Sequence, residues 1–403
     1  MVNAGHIEEA AQRLDGLVRE TPVLVSERLS ELAGVPVSLK AESLQLTGSF
    51  KIRGASNAIL KLPQERLAAG VVAASAGNHA QAVALAARRA GTRATLCVPA
   101  GAPLAKLDAV RRYGGEVRLV DGSYDEAQDA ARALAGDEGR PLIHAFADPD
   151  VVAGQGTVGL ELARAVPDVT TVVVPLGGGG LISGVAIAVK AARPDVRVVG
   201  VQAEACSPYP RSLAAHRPVG ARSARTIADG IAVKRPEELT LGLVEEWVDD
   251  VVTVSDDEIA QAMVLLIEDA KLVVEGAGAA AAAAIQAGRI APRGDGVCCV
   301  VLSGGNVDAS LLAECIRMGE TVSGRRTVLK SVVPDRPGAL AALLQVVAQG
   351  GANVIDVAHL REGVDLHVRE TLVRLVIQTR GADHAAEIIA AVRGEGFSLE
   401  IEH

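Results

Sequence analysis

Residues 70–99, "GVVAASAGNHAQAVALAARRAGTRATLCVP", decide the fold. "GVVAA" is a short apolar run that leads into the helical stretch "HAQAVALAARRAG", and "RATLCVP" follows as a second apolar run. A strand, a helix of about a dozen residues and a strand make a βαβ unit, the building block of a parallel sheet. Outward from it the rhythm continues through "PLAKLDAVRRYG", "EVRLV", "YDEAQDAARALAG" and "PLIHAF". After residue 150 it restarts with "TTVVVPL", "LISGVAIAVKAAR" and "VRVVGVQAE", and "GVCCVVLSGGN" closes it. The pattern predicts an α/β protein with two open parallel subdomains around a cleft, where ligands of open α/β folds bind.

The stretch "EGAGAAAAAAIQAG" has low complexity, but alanine is the best helix former, so a closely packed helix is expected there. Beyond "IRMGETVSGRRTV" the character changes. "VLKSVVP", "GALAALLQVVAQGG", "NVIDVAHL", "RETLVRLVIQTR", "ADHAAEIIAAVRGEG" and "FSLEIE" spell βαββαβ, a self-contained small domain. The expected division is therefore residues 1–320, with a smaller subdomain at roughly 50–150, and residues 327–403.

Composition restricts the partners. With 403 residues the chain has room for roughly two to three domains. A net charge of -9 offers no basic patch, which argues against nucleic acid and leaves a small molecule as the expected partner. No apolar run approaches the roughly 18 to 20 residues of a membrane span, and "MVNAGHIEEAAQRLDG" lacks the regions of a signal peptide, so a cytoplasmic location is expected. The five cysteines are odd in number and without a C-x-x-C pair, which predicts reduced, mostly buried thiols and no zinc site.

Four short elements could carry chemistry. In "TGSFKIRG" (47–54), Lys51 follows Phe50, one of only three phenylalanines. A lysine amine becomes a nucleophile when burial removes its proton, and it then forms a Schiff base with an aldehyde, but most lysines are solvated charges. In "SAGNHAQA" (75–82), Ser75, Ala76, Gly77 and Asn78 sit where a helix begins, a place for a carboxylate or phosphate or simply an N-capped turn. "VVVPLGGGGLISG" (172–184) has four consecutive glycines at a strand-to-helix junction, more than a tight turn needs and suited to a phosphate cradle. A dinucleotide site would use Glu204 on the ribose, but the third glycine of G-x-G-x-x-G falls on Ile182 or Ser183, so a nicotinamide oxidoreductase fails on spacing. "VVLSGGNVD" (300–308) ends a strand with Ser303, whose hydroxyl could meet a ligand ring.

Together and in this order, "ESLQLTGSFKIRGA", "ASAGNHAQAVA", "VPLGGGGLISG" and "LSGGN" resemble the fold type II pyridoxal-phosphate enzymes, most closely the threonine dehydratases. "DRPGAL" adds a likeness to ACT regulatory domains. The resemblance implies roles. Lys51 would hold pyridoxal 5'-phosphate and serve as general base, Phe50 would pack on its ring, and Asn78 would bond its phenolic oxygen. Gly177, Gly178, Gly179, Gly180 and Leu181 would cradle the phosphate, and Ser303 would face the ring nitrogen. Ser75, Ala76, Gly77, Asn78 and His79 would bind the substrate carboxylate.

The activity implied is β-elimination of L-threonine to 2-oxobutanoate and ammonia, with L-serine or hydroxyaspartate as alternative substrates and a non-catalytic amino-acid sensor as the reading from another class. Serine racemases are similar but carry a serine where this chain has Ala76, which cannot transfer a proton. They also hold a divalent metal after the strand where "QAEACSPYP" offers Glu204 and then Pro210, so no metal site is expected. In the C-terminal domain the resemblance implies an amino-acid effector, isoleucine or valine, near Asp335, Gly338 and Asn353, and a tetrameric assembly.

Overall fold

The computed structural model describes residues 2–294, 296–361 and 366–402. By internal contacts the chain divides into Met1–Asp308 and Ala309–His403. The helix Ala309–Val322 thus goes with the second unit, whose first strand Arg326–Pro334 it touches, although sequence put the boundary near residue 320.

In the first unit two sheets form. The larger runs Val23–Val25, Val37–Ala41, Val297–Leu302, Val169–Pro175, Arg197–Ala203 and Asp250–Val254 in spatial order, parallel except for its first pair. The smaller, within the stretch expected to form a subdomain, runs Val71–Ala74, Ala94–Pro99 and Glu116–Val120, all parallel. The central strands are buried on both faces, which is why they read as largely apolar runs without alternation. "PLIHAF" departs from expectation: it makes a single bridge, Val72 to Leu142, and is no strand. His144 turns the chain instead, its Nδ1 accepting from the N–H groups of Phe146 and Ala147 at 3.2 and 2.8 Å.

Two helices matter most to the cleft. Lys51–Leu60 is nearly all buried and packs on Pro149–Ala165 and Asn78–Arg89. Arg53, in its first turn, is fully buried, and its guanidinium meets Glu42 at 2.8 Å and Glu161 at 2.6 Å, while Lys40 reaches Glu161 at 2.6 Å. Burial opposes the charge on Glu42 and on Arg53, but each outweighs that for the other: the carboxyl is held below its usual range and the guanidinium pushed higher still. Two positive and two negative charges cancel, so the helix that carries Lys51 is anchored by a closed polar network.

The alanine-rich stretch forms the helix Gly276–Gln286, buried from Gly276 to Ile285. It packs on Asp256–Glu268 and on the strands Val169–Pro175 and Val297–Leu302. Alanine there lets backbone approach the sheet closely.

After the helix Ala309–Val322 the second unit has the order strand, helix, strand, strand, helix, strand, as its sequence predicts. Its antiparallel sheet runs Asn353–Leu360, Glu370–Gln378, Arg326–Pro334 and Glu400–Glu402, with a core of Leu329, Leu343, Val347, Leu375 and Ile388. The last strand is shorter than "FSLEIE" suggests. Among the described residues no helix is long and apolar enough to cross a membrane.

Candidate active site

A cavity of about 720 Å³ opens between the two sheets of the first unit, and Phe50, Lys51, Ser75, Ala76, Gly77, Asn78, His79, Gly177, Gly178, Gly179, Gly180, Leu181 and Ser303 all line it. Residues from four separate segments, spread over some 250 positions, therefore meet in one place.

Lys51 begins its helix with its Nζ donating to the Ala145 carbonyl at 2.8 Å and lying 5.1 Å from the centre of the Phe50 ring. Burial lowers the ammonium pKa to about 8, with Glu275 pulling the other way. An amine so placed gives up its proton far more readily than a surface lysine. The approach to it is strained: Thr47 is a β-branched residue at φ 61°, a conformation costing roughly 1–3 kcal/mol. The backbone around it is tied down, since Phe50 N–H donates to the Ser303 carbonyl at 3.1 Å and Gly305 N–H to that of Gly48 at 2.9 Å.

Four helices start at the cavity without a side-chain cap, Lys51–Leu60, Asn78–Arg89, Gly180–Ala192 and Gly276–Gln286, and two of them follow a glycine: Asn78–Arg89 after Gly77 and Gly180–Ala192 after Gly179. Uncapped first turns present N–H groups and the positive end of the helix dipole, which suits anions. The second is also sterically bare. A Cβ on Gly178 would lie 2.2 Å from the Phe146 ring, and Gly179 sits at φ 93° with its Cβ position 2.2 Å from Tyr209 Oη. The residues thus fit the phosphate of pyridoxal phosphate: a glycine-only cradle whose N–H groups are not claimed by side chains. In the first, Gly77 N–H is already given to Ser75 Oγ at 3.0 Å, which leaves the following N–H groups for a carboxylate.

His79 is buried, with Nε2 2.8 Å from the Ile143 carbonyl. Burial, aided by Lys51, lowers its pKa to about 3, so the ring is neutral and Nε2–H donates. Ser303 is buried at the end of its strand.

Sequence reasoning gave no role to several residues that the structure brings in. Glu275, 5% exposed, accepts from Asn78 Nδ2 at 2.7 Å, and burial, with Asp229 adding to it, raises its pKa to about 7. Asn306 donates to Asn78 Oδ1 and to the Thr47 carbonyl, both at 2.7 Å. Phe146 covers the glycines and Tyr209 Oη donates to the Gly178 carbonyl at 3.1 Å. Glu275 had a signal, a lone acid in the apolar run "LVVEGAGAAAAAA", because an isolated charge among buried residues marks function more often than packing.

Three ion pairs cross the cavity mouth: Lys106 with Asp229 at 2.5 Å, Lys234 with Asp125 at 3.3 Å and Arg132 with Glu237 at 3.8 Å. Exposed as they are, each adds no more than about 1 kcal/mol.

In the second unit, Asp335 pairs with Arg361 Nη2 at 3.1 Å, which lowers its carboxyl pKa. Gly338 stands at φ 90° before the uncapped helix Ala339–Gln349, and Asn353 opens the edge strand of the sheet.

Residues 14–304 match the family described as pyridoxal-phosphate dependent enzyme. The L-threonine ammonia-lyase of Thermotoga maritima is 44% identical over 401 residues, covering 100% of both chains. Among solved structures, maize serine racemase superposes with a TM-score of 0.75 at 37% identity, covering 78% of this chain and 96% of that one. The processed form of threonine deaminase isoform 2 from Solanum lycopersicum superposes with a TM-score of 0.72 at 34% identity, covering 79% of this chain and 96% of that one.

Proposed function

The chain belongs to the pyridoxal-phosphate dependent enzymes, and from that we propose that it eliminates the β-hydroxyl of L-threonine to give 2-oxobutanoate and ammonia, and acts likewise on L-serine to give pyruvate. The observation that carries this is a lysine amine of lowered pKa in one cavity with two uncapped helix starts that follow a glycine, one for the phosphate of a cofactor and one for the carboxylate of an amino acid. The full-length likeness to an L-threonine ammonia-lyase supports threonine as the substrate.

Pyridoxal phosphate, when bound, supplies a sink for the electrons released at the α-carbon. The protein's residues do the rest. Gly177 to Gly180 and Leu181 would hold the phosphate, and the turn Ser75 to His79 would hold the substrate carboxylate with the Cα–H bond toward Lys51. Lys51 Nζ takes the α-proton as general base. Ser303 would meet the ring nitrogen with a hydroxyl, which would not keep that nitrogen protonated, and Phe50 would pack on the ring. The β-hydroxyl leaves as water, and the proton it needs is balanced by the one that Lys51 Nζ took from the α-carbon. The enamine released takes that water back and gives the 2-oxo acid and ammonia, so atoms balance. Ala76 offers no proton on the opposite face, which disfavours racemisation.

The βαββαβ unit serves in the same proposal as an ACT-type regulatory domain. An amino-acid effector, isoleucine or valine, would sit near Asp335, Gly338 and Asn353, in a cytoplasmic homotetramer feeding isoleucine synthesis. The pairing of Asp335 with Arg361 already sets an acid and a base side by side there, the complement of an amino acid's two charges.

The test is 2-oxo acid formation from L-threonine, L-serine and hydroxyaspartate, with isoleucine and valine titrated in. Lys51→Ala should lose both the activity and the visible cofactor band. No oxo acid from any of the three with the wild-type enzyme would sink the proposal.

A further inference from the structure

The orientation of the Asn78 amide is decided by two side chains beside it on the cavity wall, Asn306 and Glu275. A backbone carbonyl can only accept, so the group that Asn306 turns toward the Thr47 carbonyl must be its Nδ2. The other hydrogen of that nitrogen goes to Asn78, whose facing atom must then be Oδ1. Asn78 Nδ2 is thereby turned to Glu275, which accepts one of its two hydrogens through Oε1. One N–H of Asn78 remains, and Asn78 lines the cavity. The chain of donors has a fixed direction, set at the Thr47 carbonyl and ending on a carboxyl group. Asn306 reaches that carbonyl because residue 48 is glycine: a Cβ on Gly48 would lie 2.4 Å from Asn306 Oδ1.

We propose that Asn306 and Glu275 are positioning residues that make Asn78 present an N–H, and not a carbonyl, to the ligand. The ligand atom facing Asn78 is then a hydrogen-bond acceptor such as an oxygen. This rests on the proposed pyridoxal phosphate chemistry, in which such an oxygen exists on the cofactor ring. The same Asn306 nitrogen holds the strained turn at Thr47 that delivers Lys51, so the lysine and the donor opposite it are placed by one side chain.

The test uses the holoenzyme and reads cofactor binding, not turnover. Asn306→Asp keeps the shape but has no hydrogen to give either partner. It should weaken pyridoxal phosphate binding at least about tenfold, the loss of roughly one well-made hydrogen bond, and move the visible absorption band. Glu275→Gln keeps an oxygen that can accept from Asn78, and should hold the wild-type band and an affinity within about threefold. Glu275→Leu removes the acceptor and should behave like Asn306→Asp. Should Asn306→Asp fail to fold, the Gln and Leu pair at position 275 still decides. Wild-type band and affinity in both Asn306→Asp and Glu275→Leu overturn the inference, as does Glu275→Gln failing as badly as Glu275→Leu, which would assign Glu275 a role through its charge. A wild-type protein that takes up no pyridoxal phosphate overturns the functional proposal along with it, so the two failures are told apart.

Discussion

Replacing Arg53 by methionine should unfold the catalytic unit at a much lower temperature without touching the cavity surface. The guanidinium donates to Glu42 through Nε and Nη2 at 2.8 Å each, to Glu161 through Nη1 and Nη2 at 2.6 and 2.8 Å, to Thr157 Oγ1 at 3.1 Å and to the Arg19 carbonyl at 3.0 Å. Methionine fills a similar volume and supplies none of these. Glu161 keeps Lys40, but Glu42, fully buried, keeps only Thr21 beside it. An uncompensated buried charge of this kind costs about 3–5 kcal/mol. At roughly 2 °C per kcal/mol for a unit of this size, Tm falls by about 6–10 °C.

The pH dependence separates this from a packing defect. In the wild type burial opposes the charge of Glu42 and Arg53 overrides it, so the folded pKa lies below the ordinary one. That contribution to stability is present at neutral pH and is lost as pH falls through the folded pKa. In the variant burial, the largest influence on Glu42, is opposed only by the Thr21 hydrogen bond and the Lys40 charge, so the folded pKa rises above the ordinary value and stability is instead lost as pH rises through it. The gap between the two proteins is therefore widest near neutrality and narrows below about pH 4 to 5. Scanning calorimetry across pH checks both halves. A Tm within about 2 °C of wild type at neutral pH, or a gap that does not change with pH, would refute the reasoning.

Covalent uptake of pyridoxal phosphate by the apoprotein needs the Lys51 amine neutral, so its rate constant should fall about tenfold per pH unit below about 8 and level off above it; stopped-flow absorbance measures this, and a flat profile contradicts the lowered pKa. Gly178→Ala places a methyl group 2.2 Å from the Phe146 ring, and fluorescence titration should show cofactor affinity down at least about tenfold while far-UV circular dichroism stays the same. All five cysteines are buried, and burial pushes the Cys298 thiol up to about 12 and that of Cys299 higher, so a thiol reagent should titrate none of them in the native protein and all of them in denaturant.

How far the sequence was legible depended on the distance over which each feature is determined. The βαβ rhythm, the glycine run and the helix starting at Asn78 are local, set by propensity and by backbone freedom, and they could be read from a few residues each. Lys51 was not legible from its own neighbourhood and became so only through the company of the other three elements. The partners of Asn78 lie 197 and 228 residues away, and nothing in "SAGN" says that its amide is held at both ends. "PLIHAF" misled because its composition suits a strand, whereas the His144 ring gathers the following N–H groups and bends the chain toward Lys51. The Arg53 network was hidden for the opposite reason. Glu42, Arg53 and Glu161 look like ordinary surface charges until the fold buries them together.

The alanine helix has a consequence for how the cavity can adapt. Of the residues from Gly276 to Ala284, none has a side-chain torsion to rotate, and all are buried. Folding this segment costs no rotamer entropy, and the folded segment has no alternative rotamers to visit. Ala277, on the cavity wall, is part of it. That part of the wall is therefore of fixed relief, and a ligand of different shape must be accommodated by the other side chains that line the cavity.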